Sequence, residues 1–179
     1  ASGEENFVTV WGKLFCKKLF SDLRFRTGIC FEDIHLMPYW LLQSEKVVLI
    51  PYAGYNYTQN ENSIMHKTDE AHSTRLYKNA FVIWQEHLEL YKQRGLEDFE
   101  NAVYCSIVNK VIAHSLAESI PNEMVRESLV LAHRYTKKLV WHTALPVKQK
   151  LYFALFSILG PKYFRSFMRM RSAHRSESD

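Results

Sequence analysis

The 179 residues are 47% hydrophobic, 14% aromatic and 23% charged, with 6 Gly and 5 Pro. A chain of that make-up can bury a core without disulfide staples, and it is not collagen-like, low-complexity or wholly disordered. Cys16, Cys30 and Cys105 form neither a CxxC pair nor a disulfide framework, so reduced thiols in a cytosolic setting are expected. No apolar run approaches the ~20 residues of a membrane span, and no charged-then-apolar leader opens the sequence. It starts at Ala1 and not at Met, which points to a trimmed or excised piece of something longer. The net charge of +4 is unevenly spread: residues 1–133 hold 13 Lys+Arg against 17 Asp+Glu, and residues 134–179 hold 10 against 2. A basic end on a slightly acidic body suits an anionic partner, either a membrane surface or a nucleic acid.

Taken in chain order, residues 10–20 read as a short helix. Val47, Val48, Leu49 and Ile50, closed by Pro51, read as a buried strand. Tyr52, Tyr55 and Tyr57 follow around Gly54, and residues 59–63 form a polar loop. From Leu76 the period becomes helical. Leu76, Ala80, Ile83, Trp84, His87, Leu88 and Tyr91 recur at three- and four-residue steps and stop at Gly95, with Thr68, Asp69 and Glu70 as capping and acidic start signals. Leu96, Phe99, Val103, Ile107, Val111 and His114 give a second helix, ended by Pro121. Asn122 can cap a third, with Val125, Leu129, Ala132 and Leu139 on its inner face. Pro146 suits the first turn of a fourth, which Gly160-Pro161 ends. Residues 172–179 read as a frayed tail. The expected fold is mainly α with a small α/β segment: a mixed part over residues 1–66, then a helical bundle over residues 67–179.

The chemistry concentrates in two short blocks, Trp11-Gly12-Lys13-Leu14-Phe15 and Gly28-Ile29-Cys30-Phe31-Glu32-Asp33-Ile34. An acidic pair before Ile34, Leu36, Leu41 and Leu42 reads first as a helix start that Asp33 caps. Trp11 serves equally as core packing or as an aromatic face, and Lys13 as a solvated charge or an anion contact. His66 can be a surface residue or a metal ligand. The other histidines show no HxH or HExxH spacing, and no phosphate-cradling glycine loop or nucleophile elbow is present.

The order of these blocks, followed by the hydrophobic tetrad, Tyr55-Asn56-Tyr57 and Asn62-Ser63-Ile64, resembles the C-terminal part of the catalytic domain of family 2 glycosyltransferases over roughly residues 7–66. These are inverting enzymes of GT-A type, many of them builders of bacterial surface polysaccharides. The resemblance implies that residues 1–66 are the acceptor-side segment of a GT-A-like domain. It implies transfer of a sugar from a nucleotide-sugar donor to a hydroxyl of a glycan or lipid-linked acceptor. Asp33 would be the general base, within about 2.6–3.2 Å of that hydroxyl. Glu32 would orient the acceptor or a backbone amide, Trp11 face a sugar ring, Lys13 approach the leaving diphosphate, and Tyr57 and Ser63 belong to a loop over the donor. Thr58 and Gln59 stand where such loops often carry an arginine, and no Asp-x-Asp occurs in the sequence. The sugar-nucleotide half, and with it the Mg²⁺ or Mn²⁺ of the complete enzyme, would precede residue 7, leaving this chain inactive alone.

Lysines and arginines intersperse with apolar and aromatic residues over residues 148–171. Such a segment either lies in a membrane interface or packs its apolar stripe on the bundle with its charges in water. The first matches a peripheral enzyme at the cytoplasmic face of the cell membrane. Two other functions compete: a non-catalytic helical interaction module built on residues 67–179, and nucleic-acid binding through the basic end, which ranks last because no recognition fold is evident.

Overall fold

In the computed structural model of this chain, residues 8–52, 54–58, 60, 69–115, 122–141 and 145–176 are described. They are mainly helical: α1 (Glu32–Gln43), α2 (Glu70–Gln93), α3 (Glu97–Ser115), α4 (Asn122–Val140) and α5 (Val147–Ser176), with a 3-10 turn at Lys17–Phe20. Two compact units result, one of residues 1–67 with 75–83 and one of residues 68–74 with 84–179, so α2 contributes to both.

In the first unit the core is aromatic. Leu36, Met37 and Trp40, spaced along one face of α1, are buried against Val10, Phe15, Leu19, Phe20 and Leu23. The Trp40 ring meets Phe15 at 5.0 Å, Phe20 at 4.8 Å and Phe25 edge-on at 5.4 Å. Its indole Nε1–H donates to the Leu19 carbonyl at 3.1 Å, giving the one polar atom of a buried ring its partner. The 3-10 turn presents that carbonyl, which is how twenty-one residues of separation close into one cluster.

Two sequence expectations fail in this unit. Residues 10–20 do not form a helix: Trp11 and Gly12 make a turn, Gly12 has φ +70°, and only the Lys17–Phe20 turn follows. Leu14 is fully exposed. Val47, Val48, Leu49 and Ile50 are exposed and belong to neither helix nor strand, and no strand occurs among the described residues. A β-branched run has strand character only with a neighbour to take its backbone hydrogen bonds, and none of the described residues supplies one. The tetrad ends where Tyr52 N–H donates to Ile50 C=O at 2.9 Å, a three-residue turn centred on Pro51. The helical part of the expected fold is what the structure shows.

The second unit follows its local signals closely. Asp69 caps α2 by accepting the His72 N–H at 2.8 Å. At the other end Gly95 (φ +65°) donates to Lys92 C=O and Leu96 to Tyr91 C=O, the paired bonds of a Schellman stop. Ile107, Val108, Val111 and Ile112 on α3, Leu129, Ala132, Thr136 and Leu139 on α4, and Phe153, Phe156 and Phe164 on α5 are buried. The buried Thr136 hydroxyl is satisfied by the His133 carbonyl at 2.7 Å. Pairs of helices are pinned by polar contacts: Lys138 to Glu100 at 2.8 Å joins α4 to α3, and His133 Nε2 to Ser157 C=O at 2.8 Å joins α4 to α5. Gly160 (φ +71°, ψ 170°) interrupts α5, as the Gly-Pro pair predicts, but the chain resumes the helix to Ser176.

Candidate functional site

The aromatic and charged side chains singled out in the sequence gather in the first unit. The turn at Gly12 starts the site. Its positive φ is readily open only to glycine, and a Cβ there would stand 3.7 Å from the Tyr55 Cβ. Lys13 Nζ donates back to the Thr9 carbonyl at 2.6 Å, closing the turn that presents Trp11. Tyr55 and Tyr57 are two residues apart in a segment that is neither helix nor strand, and both rings turn to one partner. Trp11 meets both: stacked on Tyr55 at 5.0 Å and 19°, tilted against Tyr57 at 5.1 Å and 33°. All three rings remain exposed to solvent. An aromatic cluster kept at the surface is suited to the C–H faces of a sugar ring, an amphipathic partner that buries apolar area and keeps its hydroxyls wet.

Asp33 stands in the first turn of α1, half-buried, with Glu32 exposed beside it. The cap position itself belongs to Phe31 and not to Asp33. Phe31 adopts the left-handed conformation (φ +66°, ψ 34°) and offers no side-chain bond, although its carbonyl accepts from His35 N–H at 2.9 Å. Asp33 Oδ1 accepts the Ile34 N–H at 2.8 Å, so the carboxylate sits against the positive end of the helix. A left-handed phenylalanine costs about 1–2 kcal/mol, and here it sets the direction from which the Glu32-Asp33 pair enters the helix. Lys13 senses Asp33: burial lowers the Lys13 ammonium from the ordinary lysine value, and the Asp33 charge pulls it part of the way back.

The structure thus brings together Trp11 with Tyr57, leaves Lys13 within electrostatic reach of Asp33, and keeps Glu32 next to Asp33. Ser63 and His66 lie outside the described residues. Tyr55 and the strained Phe31 are not among the residues that the sequence marks as functional. The signal available for Tyr55 is the Tyr-x-Tyr spacing, two rings close enough in the chain to meet one partner. Nothing local marks Phe31. Among the described residues no three of His, Cys, Asp and Glu come together to hold a metal ion. Glu32 and Asp33 by themselves do not make such a site. No helix of the described residues is long and apolar enough to cross a membrane.

Comparison with known proteins gives one informative similarity. The chain is 33% identical over 96 residues to glycosyltransferase GlyA of Streptococcus pneumoniae serotype 4, a match that takes in 48% of this chain. It spans only 14% of that protein's length. No family model matches the chain, and no solved structure matches it.

Proposed function

We propose that the chain is the acceptor-side part of a glycosyltransferase of GT-A type, family 2, moving a sugar from a nucleotide-sugar donor to a hydroxyl of a glycan or lipid-linked acceptor with inversion. The observation that carries this is the exposed Trp11–Tyr55–Tyr57 cluster, held two residues along the chain from a lysine that feels the Asp33 carboxylate. The similarity to a glycosyltransferase supports the reaction class.

In this reading Trp11 packs against the acceptor ring, and Asp33 takes the proton of the attacking hydroxyl as the oxygen reaches the anomeric carbon. The nucleoside diphosphate leaves from the opposite side, so one glycosidic bond forms as one breaks. The proton taken up by Asp33 then passes to solvent. Lys13 places a positive charge near the diphosphate, and Glu32 orients the acceptor. A divalent metal, Mg²⁺ or Mn²⁺, would supply charge neutralisation of the leaving group, and its acidic ligands would come from sequence outside these 179 residues. The setting is a peripheral enzyme at the cytoplasmic face of the cell membrane, working in surface polysaccharide synthesis.

The test is transfer by the complete enzyme from a panel of nucleotide sugars with Mg²⁺ or Mn²⁺, in wild type and Trp11→Ala. We expect transfer from at least one donor and a KM for acceptor raised by about tenfold or more in the variant, the worth of one lost stacking contact. Absence of transfer from every donor, or an acceptor KM untouched by Trp11→Ala, would refute the assignment.

A further inference from the structure

Helix α5 is amphipathic twice over. One set of its aromatic residues, Phe153, Phe156 and Phe164, is completely buried in the second unit, with Phe156 edge-on to His133 of α4 at 5.7 Å. That packing would normally account for the apolar residues of a terminal helix, yet a second set remains outside. Before the Gly160 break, Val147, Leu151 and Ile158 recur at steps of four and seven, which places them on one face. After it, Tyr163, Phe167 and Met170 recur at four and three. All six are exposed, Ile158 by 81% and Tyr163 and Met170 by 66% each. Over the same residues, 147–176, the sequence carries seven lysines and arginines and no aspartate or glutamate.

We propose that α5 docks on the surface of an anionic lipid bilayer, its Val147/Leu151/Ile158 and Tyr163/Phe167/Met170 stripes entering the headgroup boundary while its basic residues meet lipid phosphates. Charge decides among the candidate occupants. A second copy of the chain would bring one acid-free basic helix against another, and like charges at a low-dielectric contact repel. A nucleic acid would answer the charge but leave valine, leucine, isoleucine and methionine side chains against polar groups with nothing to bury them. An anionic bilayer answers both, with apolar depth for the stripes and negative surface for the cations. The helix lies on the membrane and does not cross it, in keeping with its interrupted course and its charges. This deepens the lipid-linked acceptor of the proposed function and rests on that reading only for its purpose. The assay reads lipid binding alone, so its failure leaves the transfer reaction standing.

The experiment is co-sedimentation of the chain with vesicles of phosphatidylglycerol and phosphatidylcholine in equal parts, against vesicles of phosphatidylcholine alone, for wild type and Ile158→Ser/Met170→Ser. Both substituted side chains are exposed, and circular dichroism confirms that the helices persist. We expect binding to the anionic vesicles only, weakened about a hundredfold in the double variant, roughly tenfold for each apolar side chain withdrawn. Failure to sediment with anionic vesicles overturns the proposal. So does equal binding by the double variant, which would leave charge alone at work. Tighter binding to duplex DNA than to vesicles, unaffected by the substitutions, overturns it in favour of a nucleic acid. A dimer abolished by the substitutions, with no lipid bound, overturns it in favour of self-association.

Discussion

Replacing Asp33 by Asn separates its proposed chemistry from its structural role. The amide keeps the shape of the side chain and an oxygen that can still accept the Ile34 N–H now bonded at 2.8 Å. What the fold loses is the attraction of a full negative charge for the first turn of α1, about 0.3–1 kcal/mol. What the reaction loses is a base. A positioned general base is worth roughly 10²–10⁴ in rate, about 3–5 kcal/mol of barrier, so the catalytic effect should exceed the structural one severalfold. Lys13 reports on whether the geometry is right. Asp33 opposes the downward pull of burial on the lysine, so without that charge Lys13 should release its proton at a lower pH than in wild type. The assay is release of nucleoside diphosphate by the complete enzyme at saturating donor and acceptor, paired with urea unfolding of the same proteins. Turnover is expected to fall by about a hundredfold or more, with an almost unmoved urea midpoint. Turnover at the wild-type rate would remove Asp33 from the mechanism. A loss of activity that tracks a large fall in stability would return it to the role of helix-start acid.

Three further outcomes follow from the packing. Trp40→Phe strips the Leu19 carbonyl of its 3.1 Å partner and shrinks the ring shared by Phe15, Phe20 and Phe25; it should cost about 1–3 kcal/mol in urea unfolding, and a cost near zero would mean that this cluster does not hold the first unit. Gly160→Ala puts a Cβ on a φ of +71° and a ψ of 170°, a region almost confined to glycine, for about 1–3 kcal/mol by thermal unfolding; because nothing lies near a Cβ there, an unchanged melting temperature would show that α5 straightens instead. The Glu100 carboxyl is held below the ordinary carboxylate value chiefly by its hydrogen bond from Lys138. A depressed folded value means that the unfolded chain binds the proton more readily, so the pair's contribution is present at neutral pH and lost as acid carries the pH down through the folded value. Glu100→Gln should therefore cost up to about 1 kcal/mol at neutral pH, with the gap from wild type closing on acidification; a gap independent of pH would assign the effect to Tyr104, whose hydroxyl also donates to Glu100 at 2.8 Å.

Local chemistry is legible in the sequence wherever the determining atoms lie within a turn of one another. Asp69 needs only His72 N–H three residues on, and Gly95 only Lys92 and Tyr91 behind it; both ends of α2 fall where the residue types place them. The same reasoning misplaces residues 10–20, because one positive φ at Gly12 overrides a plausible helical spacing, and it misreads Val47 to Ile50, because a strand is a property of two segments. At the site, Trp11, Lys13 and Asp33 are identifiable as residue types capable of sugar contact and proton transfer. Their partners are not. Trp11 and Tyr55 are forty-four positions apart, and only the backbone turn at Gly12 puts one ring over the other.

The basic end shows why composition alone could not choose between its two readings. Membrane helix and bundle helix exclude one another only if a single apolar stripe must serve a single partner. An α-helix has room for two. Phe153 and Phe156 stand three positions apart and face inward, while Leu151 and Ile158, two turns apart, face solvent. Both sets satisfy helical spacing, so periodicity finds each and ranks neither. Burial does rank them: the phenylalanines go to the bundle, and the other apolar residues stay outside on a segment, 147–176, whose sequence carries seven basic residues and no acid. Gly160 then matters for a reason beyond ending a helix. At about 100° per residue a straight helix would put Tyr163 within about 20° of the buried Phe156; the non-helical step at Gly160 breaks that phase, and Tyr163 and Met170 stay outside while Phe164 packs on Phe156 at 4.8 Å. A glycine there lets one segment anchor itself and still offer an apolar stripe along both of its halves.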